Sequence, residues 1–332
     1  MGSPTLQTVR IAVIGAGYWG TKLAHEYSLL SKAIDGVSLD CVADISNEQL
    51  KVLRLQLGND SANFCNDYRE VLKDSEIDAV HIALPNHLHY EAARMALESG
   101  KHVLIEKPMT TSSREALELV SLSEKKGLVL QVGHIFRFNN ALRKAREIMR
   151  ESLGRVFYAN LVWATYLSPP EDRDIVFDLA PHPIDVLNYL LDEWPITVNA
   201  MGSSYVRKKA GKEEMAFINL KFLNNVLANI YVSWIDHERK ERSVQLVGEK
   251  ASLRCDALNQ TVTIYGREEE AQKLEVVPNN TIRDMQLHFI KCIRGRRAEL
   301  NGSLTGANTV HVLEAIVDSI RTGSSANLSF LR

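Results

Sequence analysis

The stretch "RIAVIGAGYWG", residues 10–20, is a short apolar run that leads directly into three closely spaced glycines. Its first part is rich in isoleucine and valine and predicts a buried strand. The residues that follow place Trp19, Leu23 and Tyr27 at helical spacing. The sequence therefore predicts a strand, a tight glycine turn and a helix in that order, which is how an α/β fold begins.

The alternation of strand and helix continues to about residue 135. Apolar runs such as "IDAVHIALP" and "HVLIEKP" are each followed by an amphipathic segment, which is typical of a parallel sheet covered on both faces. After about residue 139, alternating strands with hairpin-length gaps follow one another and two helices close the chain. We therefore predict an α/β domain over residues 1–138 and an α+β domain with a large, mostly antiparallel open sheet over residues 139–332.

The bulk composition excludes several classes of protein. The chain has 332 residues and a formal net charge of −2, and the mixed signs of "RKKAGKEE" (207–214) predict a solvated hairpin loop rather than a nucleic-acid site. No apolar run reaches the roughly 20 residues that span a bilayer, and no hydrophobic segment precedes the first strand. Four cysteines without a CxxC motif indicate reduced thiols. We expect a cytoplasmic protein with no nucleic-acid or membrane partner.

The three glycines of the opening stretch have the spacing of a phosphate-binding turn. Gly15, Gly17 and Gly20 form GxGxxG between a strand and a helix. In this setting the first glycine permits the turn, the second lets a pyrophosphate approach the backbone, and the third lets helix pack on strand. The N–H groups at the helix N-terminus attract the phosphates. The motif indicates a Rossmann dinucleotide-binding domain; an ordinary turn of an α/β protein is the alternative.

An acidic residue indicates which dinucleotide is bound. The second strand, "LDCVAD", ends at Asp44. A carboxylate there accepts hydrogen bonds from the ribose hydroxyls and repels a 2′-phosphate. Neither Ile45 nor Ser46 offers a cation for that phosphate. The sequence therefore predicts NAD rather than NADP.

A charged tripeptide follows a later buried strand. "HVLIEKP" ends in Glu106–Pro108, at the carboxyl end of a parallel strand, where ligands bind in open sheets. Lys107 there is suited to bind a substrate hydroxyl and to stabilise developing negative charge, while a surface ion pair with Glu106 is the alternative. His87 and His89 lie two residues apart without a third ligand, so we predict no metal site.

The second domain supplies a candidate acid–base pair in "DIVFDLAPHPIDVLNYLL", residues 174–191. Proline is tolerated in the first turn of a helix but not in its interior, so we predict a helix that begins near Pro181, with Asp178 just ahead of it. His182 then lies in the first turn, where the helix dipole favours neutral imidazole that can accept a proton. Asp178 would oppose this by favouring the charged ring. A capping or core histidine is the alternative.

Together, GxGxxG, "PNHLH", "EKP", "GHIFRFNN" and the pattern D-x-x-x-H-x-x-D resemble the glucose–fructose oxidoreductase/inositol dehydrogenase (Gfo/Idh/MocA) family over nearly the whole chain. The resemblance implies NAD-dependent hydride transfer at a secondary alcohol of a sugar or polyol. It implies Lys107, His182 and Asp178 as catalytic residues. It also implies a homodimer or homotetramer formed through the C-terminal sheet. Pro183 departs from many relatives, which leaves the local geometry open.

The resemblance leaves more than one substrate open. "FDLAPHPIDVLNYLL" looks most similar to members acting on nucleotide-linked amino sugars, of the UDP-N-acetylglucosamine 3-dehydrogenase kind. An inositol or free sugar is the second possibility. A non-catalytic NAD-binding regulator is a different class, which has no need of Lys107, Asp178 and His182.

The predicted binding residues fall into two groups. Those expected to contact the cofactor are Gly15, Gly17, Tyr18, Trp19, Gly20, Asp44, Ile45, Leu84, Pro85, Asn86, His89, Glu106 and Lys107. Those expected to contact the substrate are Lys107, His134, Arg137, Tyr166, Arg173, Asp178, His182 and Asp185. Arg137 suits either an anionic part of the substrate or the domain junction. Tyr166 and Arg173 lie in "WATYLSPPEDRD", which suits either a sugar or phosphate contact or a plain surface loop.

Overall fold

The computed structural model of the protein describes residues 8–58, 61–208, 211–238, 240–267, 270–295 and 300–330. The expectation about an export signal depends partly on residues 1–7, which lie outside this range. Within it, every helix is too short or too polar to cross a membrane. The described residues form two separate sheets, one parallel and one mostly antiparallel, which confirms the predicted fold class.

The first sheet has six parallel strands. They are β1 (Val9–Ile14), β2 (Val37–Ala43), β3 (Asn63–Cys65), β4 (Ala79–Ile82), β5 (His102–Ile105) and β6 (Leu130–Val132). Their order is β3-β2-β1-β4-β5-β6, and each neighbouring pair is parallel. The short strand β3 was not predicted. Because the order reverses between β1 and β4, a binding crevice is expected outside the carboxyl ends of these strands.

Five helices connect the strands of this sheet. They are α1 (Tyr18–Ala33), α2 (Asn47–Leu57), α3 (Tyr68–Lys73), α4 (His89–Glu98) and α5 (Ser113–Lys126). The central strands are almost wholly buried, with β4 and most of β1 and β5 at 0 % exposure, as expected for apolar strands covered on both faces. The edge strand β3 is exposed or half-buried. Helix α5 ends at Gly127, which adopts the left-handed conformation, with φ of 64°, that is common at helix C-termini.

The second sheet has nine strands. They are β7 (Val156–Ala164), β8 (Thr197–Ser203), β9 (Met215–Lys221), β10 (Leu227–Ser233), β11 (Glu241–Gly248), β12 (Ala251–Asp256), β13 (Thr261–Gly266), β14 (Gln272–Leu274) and β15 (Ala326–Asn327). Their order is β14-β13-β12-β11-β7-β10-β9-β8-β15, and β7 with β10 is the one parallel pair among these described strands. Buried and exposed residues alternate along β9 and β10, so one face of the sheet is covered and the other is open.

The remaining helices follow the parallel sheet in the chain. They are α6 (Asn140–Ser152), α7 (Ile175–Leu179), α8 (Pro181–Leu191), α9 (Thr281–Ile293) and α10 (Ser303–Thr322). Helices α6, α7 and α8 pack on the second sheet. The start of α8 at Pro181 confirms the helix boundary that its proline predicts.

The chain forms two compact units that are not contiguous in sequence. The first comprises residues 1–133 and 281–307, and the second comprises residues 134–280 and 308–332. The predicted division at residues 138 and 139 lies close to the first crossing. It does not include the return of residues 281–307 to the first unit.

Hydrogen bonds explain that return. The side chain of Gln286 in α9 donates to the carbonyl of Leu23 in α1 over 3.0 Å. Asn301 and Val132 exchange two hydrogen bonds of 2.6 and 3.0 Å at the edge strand β6. Residues 281–307 therefore cover one edge and one helix of the parallel sheet.

Candidate active site

The glycine turn after β1 has the shape that a dinucleotide requires. A Cβ added to Gly15, which has φ of +100°, would lie 2.4 Å from the carbonyl oxygen of Ala83, and one added to Gly20 would lie 1.9 Å from the carbonyl oxygen of Gly15. Gly17 is different, because the nearest atom to its added Cβ, in the side chain of Gln49, is 4.0 Å away. Two glycines are thus required by packing, while the third leaves open space at the start of α1.

The N-terminus of α1 suits an anionic ligand. No side chain caps this helix and no acidic residue lies in its first turn, where every residue is described, so its N–H groups are available to phosphates. Asp44 accepts hydrogen bonds from the backbone N–H of Ala16 (2.6 Å) and of Ser46 (2.8 Å). Its carboxylate is therefore fixed beside the turn, as the sequence predicts. Exposed Tyr18 and Ile45 flank the turn.

His89 connects the loops that follow β4 and β5. Its Nδ1 lies 2.7 Å from the carbonyl oxygen of Pro108, and its Nε2 lies 2.8 Å from that of Leu84. Burial lowers the pKa of His89, and the two carbonyls act in the opposite direction. With 1 % exposure, its ring fixes the backbone of these loops. It therefore links the loop after β4 to the loop after β5. Within the described residues, His, Cys, Asp and Glu side chains form no group of three that could hold a metal ion.

Glu106 and Lys107 leave the end of β5 in different environments. Glu106 is 6 % exposed, and its carboxylate lies 3.2 Å from Nε2 of buried His81. A Cβ added to Gly133, directly after β6, would lie 2.7 Å from this carboxylate, so a larger residue there would require the Glu106 side chain to move. Lys107 is half-buried and precedes a cis proline. The parallel sheet thus places the glycine turn and Lys107 at the same end of one unit.

The second unit contains Asp178 and His182. Asp178 lies in the short helix α7, and one of its oxygens is 3.9 Å from Nη1 of Arg173. His182 lies in the first turn of α8, and its ring packs edge-on against Phe136 with centroids 5.1 Å apart. Arg173, which hydrogen-bonds Asp172 over 2.9 Å, adds positive charge beside Asp178.

Three other predicted substrate residues contact one another inside this unit. Arg137 donates from Nε to Asp185 over 2.7 Å and from Nη2 to Asn188 over 2.6 Å. His134 approaches the same Asp185 oxygen at 3.8 Å. His134, Arg137 and Asp185 are 1 %, 6 % and 1 % exposed. This arrangement favours a structural role beneath His182, which is three residues from Asp185 in the same helix.

The loop "WATYLSPPEDRD" is held in place by a buried ion pair that the sequence did not reveal. Arg207 donates to the carbonyls of Pro170 and Arg173 and pairs with Glu214 over 3.1 Å. The side chains of Arg207 and Glu214 are only 5 % and 0 % exposed. The prediction of a solvated loop over 207–214 is therefore wrong for both ends, while residues 209 and 210 lie outside the described range. Tyr166 is exposed, and its ring packs on that of His237 with centroids 4.2 Å apart.

Known proteins match both parts of the chain. Residues 9–134 match the family model of the Gfo/Idh/MocA oxidoreductases, described as an NAD-binding Rossmann fold, and residues 142–254 match the C-terminal domain model of the same family. UDP-N-acetylglucosamine 3-dehydrogenase of Acidithiobacillus ferrooxidans is 30 % identical over 78 % of this chain and 77 % of that protein. Its crystal structure has a TM-score of 0.84 over 95 % of this chain and 98 % of the other.

A second curated relative covers even more of the chain. The scyllo-inositol 2-dehydrogenase (NAD(+)) of Bacillus subtilis is 25 % identical over 98 % of this chain and 97 % of its own. The glycine turn and Asp44 lie within residues 9–134, which match the NAD-binding model, and the second unit matches the C-terminal model of the same family. The chain belongs to the Gfo/Idh/MocA family and is an NAD-dependent oxidoreductase acting on CH–OH groups.

Proposed function

We propose that this enzyme transfers a hydride between NAD and a secondary alcohol of a nucleotide-linked amino sugar. The observation that carries the proposal is the position of Lys107. It follows β5, which neighbours β4 and lies two strands from β1 with its glycine turn. A lysine at the carboxyl ends of these strands is suited to act on a substrate held against the nicotinamide.

The proposal assigns a separate task to each of three residues. The glycine turn and Asp44 would hold NAD, which when bound would supply the acceptor for the hydride of the carbon. The hydroxyl proton must leave as the carbonyl forms, and His182 is the base that takes it, since its helix position favours the neutral ring. Lys107 hydrogen-bonds the same oxygen and stabilises its negative charge. Asp178, next to Arg173, is the third proposed catalytic residue.

The choice of substrate rests on the relative that shares 30 % identity, which is named for UDP-N-acetylglucosamine. Inositol or a free sugar is the second candidate, because the relative that covers 98 % of the chain is named for scyllo-inositol. The two differ in charge, because the first carries a diphosphate and the second is neutral. A substrate panel therefore discriminates between them.

The test follows absorbance of reduced nicotinamide with UDP-N-acetylglucosamine, inositols and aldoses. We expect turnover of the nucleotide sugar. Lys107→Ala and His182→Ala should each lower kcat by at least about a hundredfold, the scale of general acid–base catalysis, with NAD affinity near wild type. Near-normal turnover in either variant would contradict the assignment. NAD binding without turnover of any compound would favour a non-catalytic regulator.

We further infer self-association through the open face of the second sheet, in a cytoplasmic protein. Met201, Phe217 and Tyr158 on this face are 65 %, 44 % and 42 % exposed. Apolar side chains on an open face favour burial against a second copy. Light scattering should give the mass of a dimer or tetramer, and Phe217→Asp should reduce the mass of this assembly. An unchanged oligomer would contradict the choice of surface.

A further inference from the structure

Arg242 is a buried cation that no sequence pattern singled out. It lies in β11, directly opposite Trp163 of β7 in the register of the second sheet. Only 6 % of the residue is exposed. Its Nη1 donates to the carbonyls of Ala164 (2.8 Å) and Glu241 (2.6 Å). The guanidinium is thereby fixed at one end of the sheet.

Its surroundings differ from those of the other buried arginines of this unit. Arg137 and Arg207 each pair with a buried carboxylate, at 2.7 and 3.1 Å. No carboxylate of the described residues lies within 4.0 Å of Arg242; Asp178 acts on it only as a more distant negative charge. Buried charges are normally paired, so the described residues lack a carboxylate acceptor for this cation.

The free edge of the guanidinium shows where that acceptor would bind. Nε and Nη2 of Arg242 make no hydrogen bond with any described residue, yet neither is fully enclosed. Burial lowers the pKa of Arg242 to about 10, so the group stays charged at neutral pH. Two parallel N–H donors on one edge match the two oxygens of a phosphate or a carboxylate.

We propose that Arg242 is a substrate-binding residue whose Nε and Nη2 edge holds an anionic oxygen group of the substrate. Arg242 donates to Ala164, and the neighbouring Trp163 packs on Phe136, whose ring contacts His182. This chain of contacts places Arg242 near the proposed catalytic residues of the second unit. The inference rests on the proposed function, and deepens it by requiring an anionic substrate. A diphosphate of a nucleotide sugar and a carboxylate of an acidic sugar share the required chemistry.

The experiment compares anionic and neutral probes in one set of variants. Binding of UDP-N-acetylglucosamine, UDP, glucuronate and myo-inositol to the NAD-loaded protein is measured by calorimetry, together with turnover. We expect Arg242→Gln to weaken binding of an anionic probe roughly ten- to hundredfold, the range for a hydrogen bond to a charged group. Arg242→Lys should weaken it less, because it keeps the charge but loses the fork.

Arg254→Gln is the matched control. Arg254 lies on the adjacent strand β12, with a side chain that is 63 % exposed, so its loss should change no affinity. NAD affinity and melting temperature should be unchanged in Arg242→Lys. If Arg242→Gln fails to fold, Arg242→Lys alone carries the comparison.

The outcomes separate this inference from the proposed function. Weakened UDP binding and intact NAD binding support the role of Arg242 even if no sugar is oxidised, in which case the proposed function fails alone. A stronger effect on UDP than on glucuronate assigns the site to phosphate, and the reverse assigns it to carboxylate. The inference is overturned if Arg242→Gln loses affinity equally for myo-inositol and the anionic probes. It is also overturned if the wild-type protein binds no anionic probe.

Discussion

Glu214 and Glu106 are both buried acids, but their environments are opposite. Glu214 in the second unit accepts hydrogen bonds from three backbone N–H groups, from Ser204 and from Arg207. Glu106 in the first unit has His81 as its hydrogen-bonding partner among the described residues. The fully bonded carboxylate fixes a loop, whereas the sparsely bonded one precedes Lys107. The contrast leads us to predict a structural role for Glu214 and a catalytic role for Glu106.

The largest expected effect is loss of the fully bonded acid. Glu214→Ala should lower the free energy of unfolding by about 3–5 kcal/mol, because it leaves Arg207 buried without a partner. Urea denaturation measures the change. Glu238→Ala, at an exposed position, is the control and should be near neutral. A small change in the free energy of unfolding of Glu214→Ala would contradict the structural role of Glu214.

Acid should also lower the free energy of unfolding of the wild-type protein, but by less than Glu214→Ala does. Burial would raise the pKa of Glu214, but the backbone N–H groups and Arg207 outweigh it and lower the pKa from 4.5 to about 2. Because the folded state holds the proton less tightly, this contribution is complete above pH 4.5 and is lost as pH falls towards 2. Urea midpoints at decreasing pH should fall less steeply in Glu214→Gln. Parallel curves would contradict this assignment.

The sparsely bonded acid should instead affect catalysis. Glu106→Gln keeps the size of the side chain but removes the charge beside Lys107, so we expect kcat to fall roughly ten- to hundredfold, the scale of a misplaced catalytic group. Unfolding free energy should change far less than in Glu214→Ala. Steady-state kinetics measures the change in kcat, and urea denaturation measures the change in the free energy of unfolding. A variant that is destabilised yet fully active would reverse the interpretation.

The smallest effect should come from Asp44, whose carboxylate is half-exposed and bound by two backbone N–H groups. Asp44→Ala should weaken NAD binding by about tenfold, the loss of one hydrogen bond or two to ribose. It should also reduce discrimination against NADP. Fluorescence titration with both dinucleotides measures this. Unchanged preference for NAD would show that Asp44 does not read the ribose.

Local signals made much of the first unit predictable. Gly15, Gly17 and Gly20 lie in a strand–turn–helix segment, where their spacing is typical of a dinucleotide-binding turn. Pro181 likewise indicated the start of α8, because proline is favoured in a first turn. Such features depend on neighbours within a few residues.

The features that escaped prediction depend on distant partners. His81 in β4 contacts Glu106 at the end of the neighbouring strand β5. Arg242 in β11 donates to Ala164 in the neighbouring strand β7. Neither residue has a local pattern that sets it apart from ordinary polar residues in strands. The mixed charges of residues 207–214 predicted exposure to solvent. That prediction was wrong for Glu214 because three backbone N–H groups reach its carboxylate only in the folded loop.

The return of residues 281–307 to the first unit has a consequence for how this chain matures. During synthesis, strand β6 emerges long before Asn301, whose backbone and side chain complete its edge. Until then the growing chain exposes an unpaired strand, which favours pairing with other chains. A fragment that stops at residue 133 should therefore aggregate, and we expect the first unit to reach its native form only after Asn301 has been synthesised.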